Sequence, residues 1–342
     1  MNPTPTLLTR DSFRNSVFER DGFKCVICRE AGKDAHHILE RRLFGNGGYY
    51  LDNGATLCER HHIEAEQTTL TCDEIRHKTG IRTIVLPEHF YRDLSYDKWG
   101  NIILSTGQRI KGELFYDASV QKILTQGGVM DLFQRHVKYP RTYHVHWSNM
   151  LKDDRMLPDD KFFVGKRVIA TVKMDGENTT MYRDYIHARS LDWAPHETRK
   201  WVKGLWSQIA YLLDENMRIC GENLFAVHSV KYSDLKSYFM MFSMWSDHKC
   251  LTWEETVEYS KILGLEMVPV FFDGIYDRET IIKKFEDLGK HHEGYVIRLA
   301  DEFTYMDFRK SVAKYVRPEF RQALNNSHGH WVSKKIETNK LA

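Results

Sequence analysis

The spacing of apolar residues along the chain changes period several times, and each period predicts an element. Asp11–Glu19 sets Phe13, Val17 and Phe18 at helical spacing behind a capping Asp11, which predicts a short helix. Between Asn101 and Phe115 the apolar run Ile102-Ile103-Leu104, a turn at Ser105–Gly107 and a second run from Ile110 predict a hairpin. Residues 166–173 read as a strand with Val168, Ala170 and Val172 on one face, and 178–182 with 185–190 as a hairpin turning at Arg183-Asp184. Residues 196–215 carry Val202, Leu205, Trp206, Ile209, Leu212 and Leu213 as a helical stripe. Further strands are predicted at 217–225, 237–245, 266–272, 294–299 and 312–317, and Thr252 with Glu255 forms a capping box for a helix reaching residue 263. Strands and helices in this order predict an α+β domain, rich in antiparallel strands, over residues 135–342.

At 342 residues the chain is long enough for two or three domains. Residues 1–68 are dense in Cys, His and Gly and read as one small domain; 69–134 carry few candidate groups and read as a connector or accessory module. A formal net charge of only +2 leaves no basic tail, so any nucleic-acid contact must come from local patches. The longest apolar runs, such as Tyr238–Phe242, are too short to span a bilayer, so no membrane partner is expected. The first residues lack a basic region followed by an apolar stretch. Six cysteines without a leader point to a reducing compartment, hence a cytoplasmic location, where cysteines bind metal more often than they pair. Cys72, Cys220 and Cys250 lack metal-like spacing and read as buried thiols. There is no Walker A pattern and no Gly-rich dinucleotide fingerprint.

Cys25-Val-Ile-Cys28 and Cys58-Glu-Arg-His61 are two knuckles with two-residue gaps, a donor set that closes a tetrahedral Zn²⁺ site. Interleaved with them stand His36-His37, Asn53 and His62. Residues 20–66 thus resemble the ββα-metal HNH endonuclease motif. The resemblance implies His37 as the general base, His36 and His62 as ligands of a divalent cation on the scissile phosphate, and Asn53 as the residue that fixes the loop. The chemistry is coherent, because phosphodiester hydrolysis needs a base near neutral pH and a cation to absorb phosphate charge. A zinc-stapled module that only holds nucleic acid uses the same residues, and both readings stand.

Five segments of the second half bear on one lysine. Lys173-Met-Asp-Gly-Glu-Asn178 puts an amine at the end of an apolar strand, two residues before an Asp-Gly turn. Arg189 ends the next hairpin strand, Glu222 lies in Cys220-Gly-Glu-Asn223, Glu293 opens Glu293-Gly-Tyr-Val-Ile-Arg298, and Val312–Arg317 offers Lys314 and Arg317. In this order they resemble the covalent nucleotidyltransferase superfamily of ATP-dependent RNA and DNA ligases and capping enzymes, over residues 135–320. The resemblance implies that Lys173 attacks the α-phosphorus of ATP to give lysyl-AMP. It implies that Asp175, Glu222 and Glu293 position Mg²⁺ or Mn²⁺, with Glu222 as an alternative ribose contact. Gly176, Asn178 and Arg189 would contact the nucleotide, Arg189 as a phosphate clamp, while Lys314 would hold the α-phosphate. Phe242 would stack on adenine, or belong with its whole strand to the core. In one respect the chain departs from the pattern: Val316 stands where a second lysine is usual, which leaves Arg317 or Lys310 to supply that charge.

The 25 residues after Arg317 are too few for the OB-fold barrel that DNA ligases and capping enzymes carry there. That, with wording similar to RNA ligases of bacteria and phages and the Lys138-Tyr-Pro-Arg141-Thr entry segment, implies an RNA ligase serving RNA repair. Its expected partners are RNA (nicked or broken tRNA, or an RNA/DNA hybrid) and separate end-healing enzymes, and His328, His330 and Trp331 are candidates to close over nucleic acid. A DNA nick ligase, and an HNH nuclease with a ligase-like nucleotide sensor, are the alternatives.

Overall fold

Thr9, rather than Asp11, caps the first helix: its hydroxyl accepts from the Ser12 N–H, and α1 runs Arg10–Arg20 with Phe13, Val17 and Phe18 buried. The computed structural model describes residues 5–148, 154–191, 195–320 and 336–342, so His328, His330 and Trp331 lie outside the described residues. Two compact units are present, Met1–Arg135 and His136–Ala342. Among the described residues no helix is long and apolar enough to cross a membrane.

In the first unit, β1 (Asp34–His37) pairs antiparallel with β2 (Gly54–Leu57), and α2 (Glu59–Glu66) follows at once. The buried face of α1 lies on this hairpin, with Phe13 stacked on His37 at 4.4 Å between ring centroids. Helix α3 (Cys72–Thr79) has a complete capping box, Thr71 with Glu74, and ends at Gly80 with φ of +75°. Residues 69–134 lie in this same unit, as α3, three two-residue strands and α4. The strands β3 (Ser95–Tyr96), β4 (Ile102–Ile103) and β5 (Arg109–Ile110) form a small sheet, and α4 (Ala118–Gln126) is capped by Asp117. The expected hairpin is present but short, because Glu113–Tyr116 turns into a 3-10 helix and brings Phe115 onto Trp99, Val120 and Leu124.

The second unit is a pair of sheets. In one, β6 (Tyr143–His144), β7 (Arg167–Lys173), β14 (Val270–Ile275), β15 (Gly294–Leu299) and β17 (Val312–Val316) stand in the order β14-β7-β15-β17-β6. The other contains β8 (Glu177–Tyr182), β9 (Ile186–Ala188), β10 (Met217–Asn223), β11 (Phe239–Ser246), β12 (Lys249–Cys250) and β16 (Phe303–Thr304), with β13 (Glu266–Met267) beside β11. Pairing is antiparallel except at β17–β6 and β11–β13, so the predicted α+β class with antiparallel strands holds as a mixed-sheet version. Helix α5 is confined to Lys200–Ile209, with single 3-10 turns on either side replacing the rest of the expected helix. The Thr252–Glu255 box opens α6 (Trp253–Ile262) as expected, while α7 (Arg278–Asp287), capped by Asp277, and the short α8 (Phe308–Ser311) are additional.

Val168 and Ala170 of β7 join Ile297, Ile281 and Phe285 in the core behind the first sheet. The other face of β7 then points away from that core, because side chains alternate along a strand. Gly294 allows this sheet to close: a Cβ there would run into the backbone of Tyr315, which cannot yield like a side-chain tip. Gly294→Ala should therefore lower unfolding free energy by about 1–3 kcal/mol, read as a shift in urea midpoint at constant slope.

Candidate functional sites

Register brings the separated sequence segments together. Val296 pairs with Thr171 on one side and Lys314 on the other, and Gly294 pairs with Lys173. Thr171, Lys173, Val296 and Lys314 therefore share one face of the first sheet. In the second sheet Glu222 pairs with Asn178 on β8. A cavity of about 440 Å³ is lined by these residues together with Gly176, Glu177, Arg189, Phe242, Arg141 and Asp154. Phe242 is only partly buried and meets Tyr139 edge-on, so it is a cavity wall as well as part of the packing.

The Lys173 amine donates to Glu293 in an ion pair. Burial pushes this amine down, but Glu293 and Glu222 more than offset that, so it is held above its ordinary value. Burial, with Glu293 nearby, pushes Glu222 up to about 8 against the pull of Lys173. Lys314 is pushed down to about 8 by burial first and by the Lys173 charge second. The site thus combines an amine paired with one carboxylate, a second carboxyl pushed up by burial, and a second lysine whose charge an anion would stabilise. Crowded carboxylate oxygens are the donor set a hard divalent cation takes up, and Glu222 with Glu293 fit that group.

Asp175 is placed differently. Its Oδ2 accepts from the N–H groups of Ser229 and Val230, at 2.6 and 2.8 Å, and its own N–H donates to Tyr232 Oη at 3.0 Å. Gly176 N–H donates to Glu222 Oε1 at 3.2 Å, and a Cβ at Gly176 would strike the Asn223 carbonyl, so this close approach demands glycine. The Asn178 Oδ1 is buried and has no hydrogen-bond partner among the described residues. Arg317 faces away from the cavity: its guanidinium pairs with Glu286 at 3.2 Å, donates to Gly289 O and lies over Phe285. The ammonium of Lys310 lies over the Phe162 ring, at 5.8 Å. Among the described residues Arg141, Arg189 and Arg298 are the guanidinium groups that line the cavity. His228 and Asp154, which the sequence pattern did not single out, also line it.

In the first unit Cys25, Cys28, Cys58 and His61 converge, with one donor atom from each within 4.8 Å of the others. Zn–S bonds of about 2.3 Å at tetrahedral angles put two sulfurs roughly 3.8 Å apart; Cys28 Sγ and Cys58 Sγ lie at 3.7 Å. His61 Nδ1 is 3.4 Å from Cys25 Sγ and 3.2 Å from Cys58 Sγ, so the donor set fits zinc. A second cluster joins His36 and His62 with Glu66, which lies four residues beyond His62 on α2. Glu66 Oε1 is 3.5 Å from His36 Nδ1 and 3.6 Å from His62 Nε2, and neither ring nitrogen of the buried His36 has a hydrogen-bond partner among the described residues. Orphaned buried nitrogens of this kind fit a metal ligand. The buried Lys98 is also here, 3.0 Å from Glu66 and donating to the His37 carbonyl at 3.1 Å. Burial, then the Lys98 charge, pushes His37 down to about 4, so its ring is neutral at pH 7 and can accept a proton. Asn53 ties the connection between β1 and β2, accepting from Leu39 N–H at 2.9 Å and donating to the carbonyls of Leu39 and Gly48.

Residues 166–316 match the RNA ligase family model. Among solved structures, an archaeal ATP-dependent RNA ligase is 19% identical, with 55% of this chain and 50% of that one covered and a TM-score of 0.39. A Naegleria gruberi RNA ligase with pyrophosphate is 18% identical over 82% of this chain and 74% of that one, TM-score 0.40. An Aquifex aeolicus protein described as an ATP-dependent DNA ligase is 18% identical over 53% of this chain and 50% of that one, TM-score 0.36. The chain spans about half the length of the archaeal and Aquifex proteins. No curated protein matches it. The family match supports an RNA ligase nucleotidyltransferase in the second unit; the structural likenesses, at such identities and scores, add no argument to it.

Proposed function

We propose that the second unit is an ATP-dependent RNA ligase joining 5′-phosphate and 3′-OH ends through lysyl-AMP and an adenylated polynucleotide, in the service of RNA repair. The observation that carries this reading is the Lys173 amine at the wall of a cavity, flanked by Glu222, Glu293 and Lys314, inside the segment that matches the RNA ligase family. The Lys173 nitrogen bonds to the α-phosphorus of ATP as the bond to pyrophosphate breaks, and the amine loses its proton to solvent. A 5′-phosphate oxygen then takes the adenylyl group and returns the free amine. Finally a 3′-OH attacks that 5′-phosphorus and AMP leaves. Lys314 and Arg189 carry positive charge to the phosphate oxygens, Phe242 offers its ring to the adenine, and Asn178 offers an unpartnered carbonyl oxygen. Asp175 serves through the loop it holds. Glu222 and Glu293 would hold Mg²⁺ or Mn²⁺, which would supply charge neutralisation on the triphosphate.

ATP-dependent sealing of a nicked RNA duplex tests this reading, with a nicked DNA duplex and an RNA/DNA hybrid as parallel substrates. Sealing of DNA alone would make it a DNA nick ligase. Lysyl-AMP without sealing of any end would favour a nucleotide sensor.

The pH dependence has a definite sign. Lys173 attacks only when neutral, and its carboxylate neighbours hold its proton; Glu222 accepts a cation only once it is deprotonated, above about 8. Lysyl-AMP formation should therefore rise from pH 6 to about 8, above which Lys314 begins to lose its own charge, and added Mg²⁺ should move the rise to lower pH, because cation and proton compete for the same oxygens. A flat or falling profile between pH 6 and 8 would contradict this arrangement.

For the first unit we propose an HNH-like zinc finger that cuts or holds nucleic acid. The cluster of His36, His62 and Glu66, the neutral His37 beside it and the loop tied by Asn53 support this reading. Here His37 would take a proton from water, and His36 and His62 would hold a divalent cation. Cleavage of RNA or DNA lost in His37→Ala would establish cutting; binding without cleavage in the wild type would establish holding.

A further inference from the structure

The connection from β10 to β11, residues 224–238, is gripped from two sides. On one side it meets the turn after Lys173: the Ser229 and Val230 N–H groups bind the Asp175 carboxylate, and Tyr232 Oη accepts the Asp175 N–H. On the other side runs the segment 336–342. Asn339 is 1% exposed and spends its whole amide on the loop: Nδ2 donates to Leu224 O at 2.8 Å and Ala226 O at 3.2 Å, and Oδ1 accepts the Tyr232 N–H at 2.8 Å. Its carbonyl accepts from the Tyr238 hydroxyl at 3.1 Å. Backbone bonds continue the seam, from Val227 N–H to Glu337 O, Leu235 N–H to Lys340 O and Lys340 N–H to Tyr232 O, at 2.8–3.0 Å. Lys231 and Glu337 form an ion pair over it.

Tyr232 therefore touches both sides, with its backbone N–H on Asn339 and its hydroxyl on Asp175. Asp175 is followed by Gly176, whose N–H reaches Glu222. We propose that residues 336–342 form a strap, keyed by Asn339, that sets the 224–238 loop against the Lys173–Gly176 turn. Asn339 is thus a positioning residue for transfer at Lys173, and the strap also fixes His228 at the cavity wall. A buried amide with its hydrogen bonds satisfied by one loop has a single geometry available, which is what an anchor requires.

The assignment of an effect on catalysis rests on the lysyl-AMP reading above, so the test has one arm that does not depend on it. Hydrogen exchange at the Ser229 and Val230 amides should quicken at least tenfold in Asn339→Asp, which keeps volume and the Oδ1 acceptor but loses the donor, while amides of β7 and β15 keep wild-type protection. Unchanged exchange in a folded Asn339→Asp protein would overturn the strap. In the second arm, the rate of lysyl-AMP formation at saturating ATP should fall about tenfold in Asn339→Asp, with the KM for ATP shifted less than threefold; an unchanged rate would remove the positioning role. Should Asn339→Asp fail to fold, Glu337→Gln removes the ion pair to Lys231 and Lys340→Pro removes the backbone bond to Tyr232 O, both away from the buried amide, and the same two measurements decide. Tyr232→Phe combined with Asn339→Asp should be no slower than the slower single variant, whereas multiplying effects would show that the two do not act through one loop. A wild type that forms no lysyl-AMP at all would sink the function reading and leave the exchange arm standing.

Discussion

Lys173→Ala should carry no label from ATP marked at the α-phosphate, whereas the wild type should carry one label per active chain that pyrophosphate removes. The expected loss is on the order of 10⁴-fold or more, the scale seen when a covalent nucleophile is deleted. Substitution removes the atom that bonds to phosphorus, and no other lysine can replace it. Lys314 is the nearest candidate, but it lies on β17, beyond Val296 of β15, and it is the group argued to meet the phosphate oxygens. Lys173→Arg is the sharper control. It keeps a positive charge beside Glu293 and so tests whether the ion pair alone maintains the site, yet guanidinium does not deprotonate near neutral pH and cannot attack. The arginine variant should melt close to the wild type and remain unlabelled. If it takes up label at the wild-type rate, the nucleophile lies elsewhere. Labelling from GTP and not ATP would instead point to cap-forming chemistry.

The grouping of Lys173 and Lys314 on one face was legible in the sequence because strand alternation nearly fixes where side chains point. Val168, Ala170 and Val172 are apolar, so Thr171 and Lys173 had to face the other way, and the apolar stretch around Val296 set the partner strand. The same rule separates Lys314 from Arg317: an odd spacing along extended chain, with Arg317 one residue past β17, turns them to opposite faces, and Arg317 goes to Glu286. Glu66 was equally readable, one helical turn after His62, once α2 is drawn as a helix. Two helices not predicted from the sequence also carried a local signal: the Thr71–Glu74 capping box for α3, and Asp277 with Ile281 and Phe285 for α7. Other parts had no local signal. Lys98 reaches Glu66 only because the turn between β3 and β4 is pinned, with Asp97 bonded to Asn101 and Arg109. Asn339 acts across a separation of more than a hundred residues, and one short polar segment resembles any other in composition. Long-range contacts made by loops carry no periodicity, so they become visible only in the fold.

Stripping zinc should have an equally large effect, confined to the first unit. Metal analysis should find one zinc per chain bound tightly enough to survive dialysis, released by a thiol-directed mercurial together with the loss of structure around residues 24–61. Structural zinc contributes apparent binding free energies on the order of 10–16 kcal/mol in small finger peptides, comparable to the whole stability of a domain. The local architecture shows why the dependence should be strong here. Cys58 is the N-cap of α2 but makes no side-chain cap hydrogen bond, so its sulfur is left to the cluster, and the side-chain tie of the first turn is the exposed Lys33–Glu59 pair. Strands β1 and β2 are four residues each, a hairpin too small to be stable by itself. Without the metal, three sulfurs and an imidazole packed within 4.8 Å have no partner that holds them together. Cys58→Ser should reproduce the stripped state, abolishing protection in α2 while the urea midpoint of the second unit, with its own core, stays where it was. A chain free of zinc whose α2 amides stay protected would refute the assignment. If transfer at Lys173 survives zinc removal while binding of nucleic acid falls, the finger's contribution lies in substrate handling and the chemistry belongs to the second unit alone.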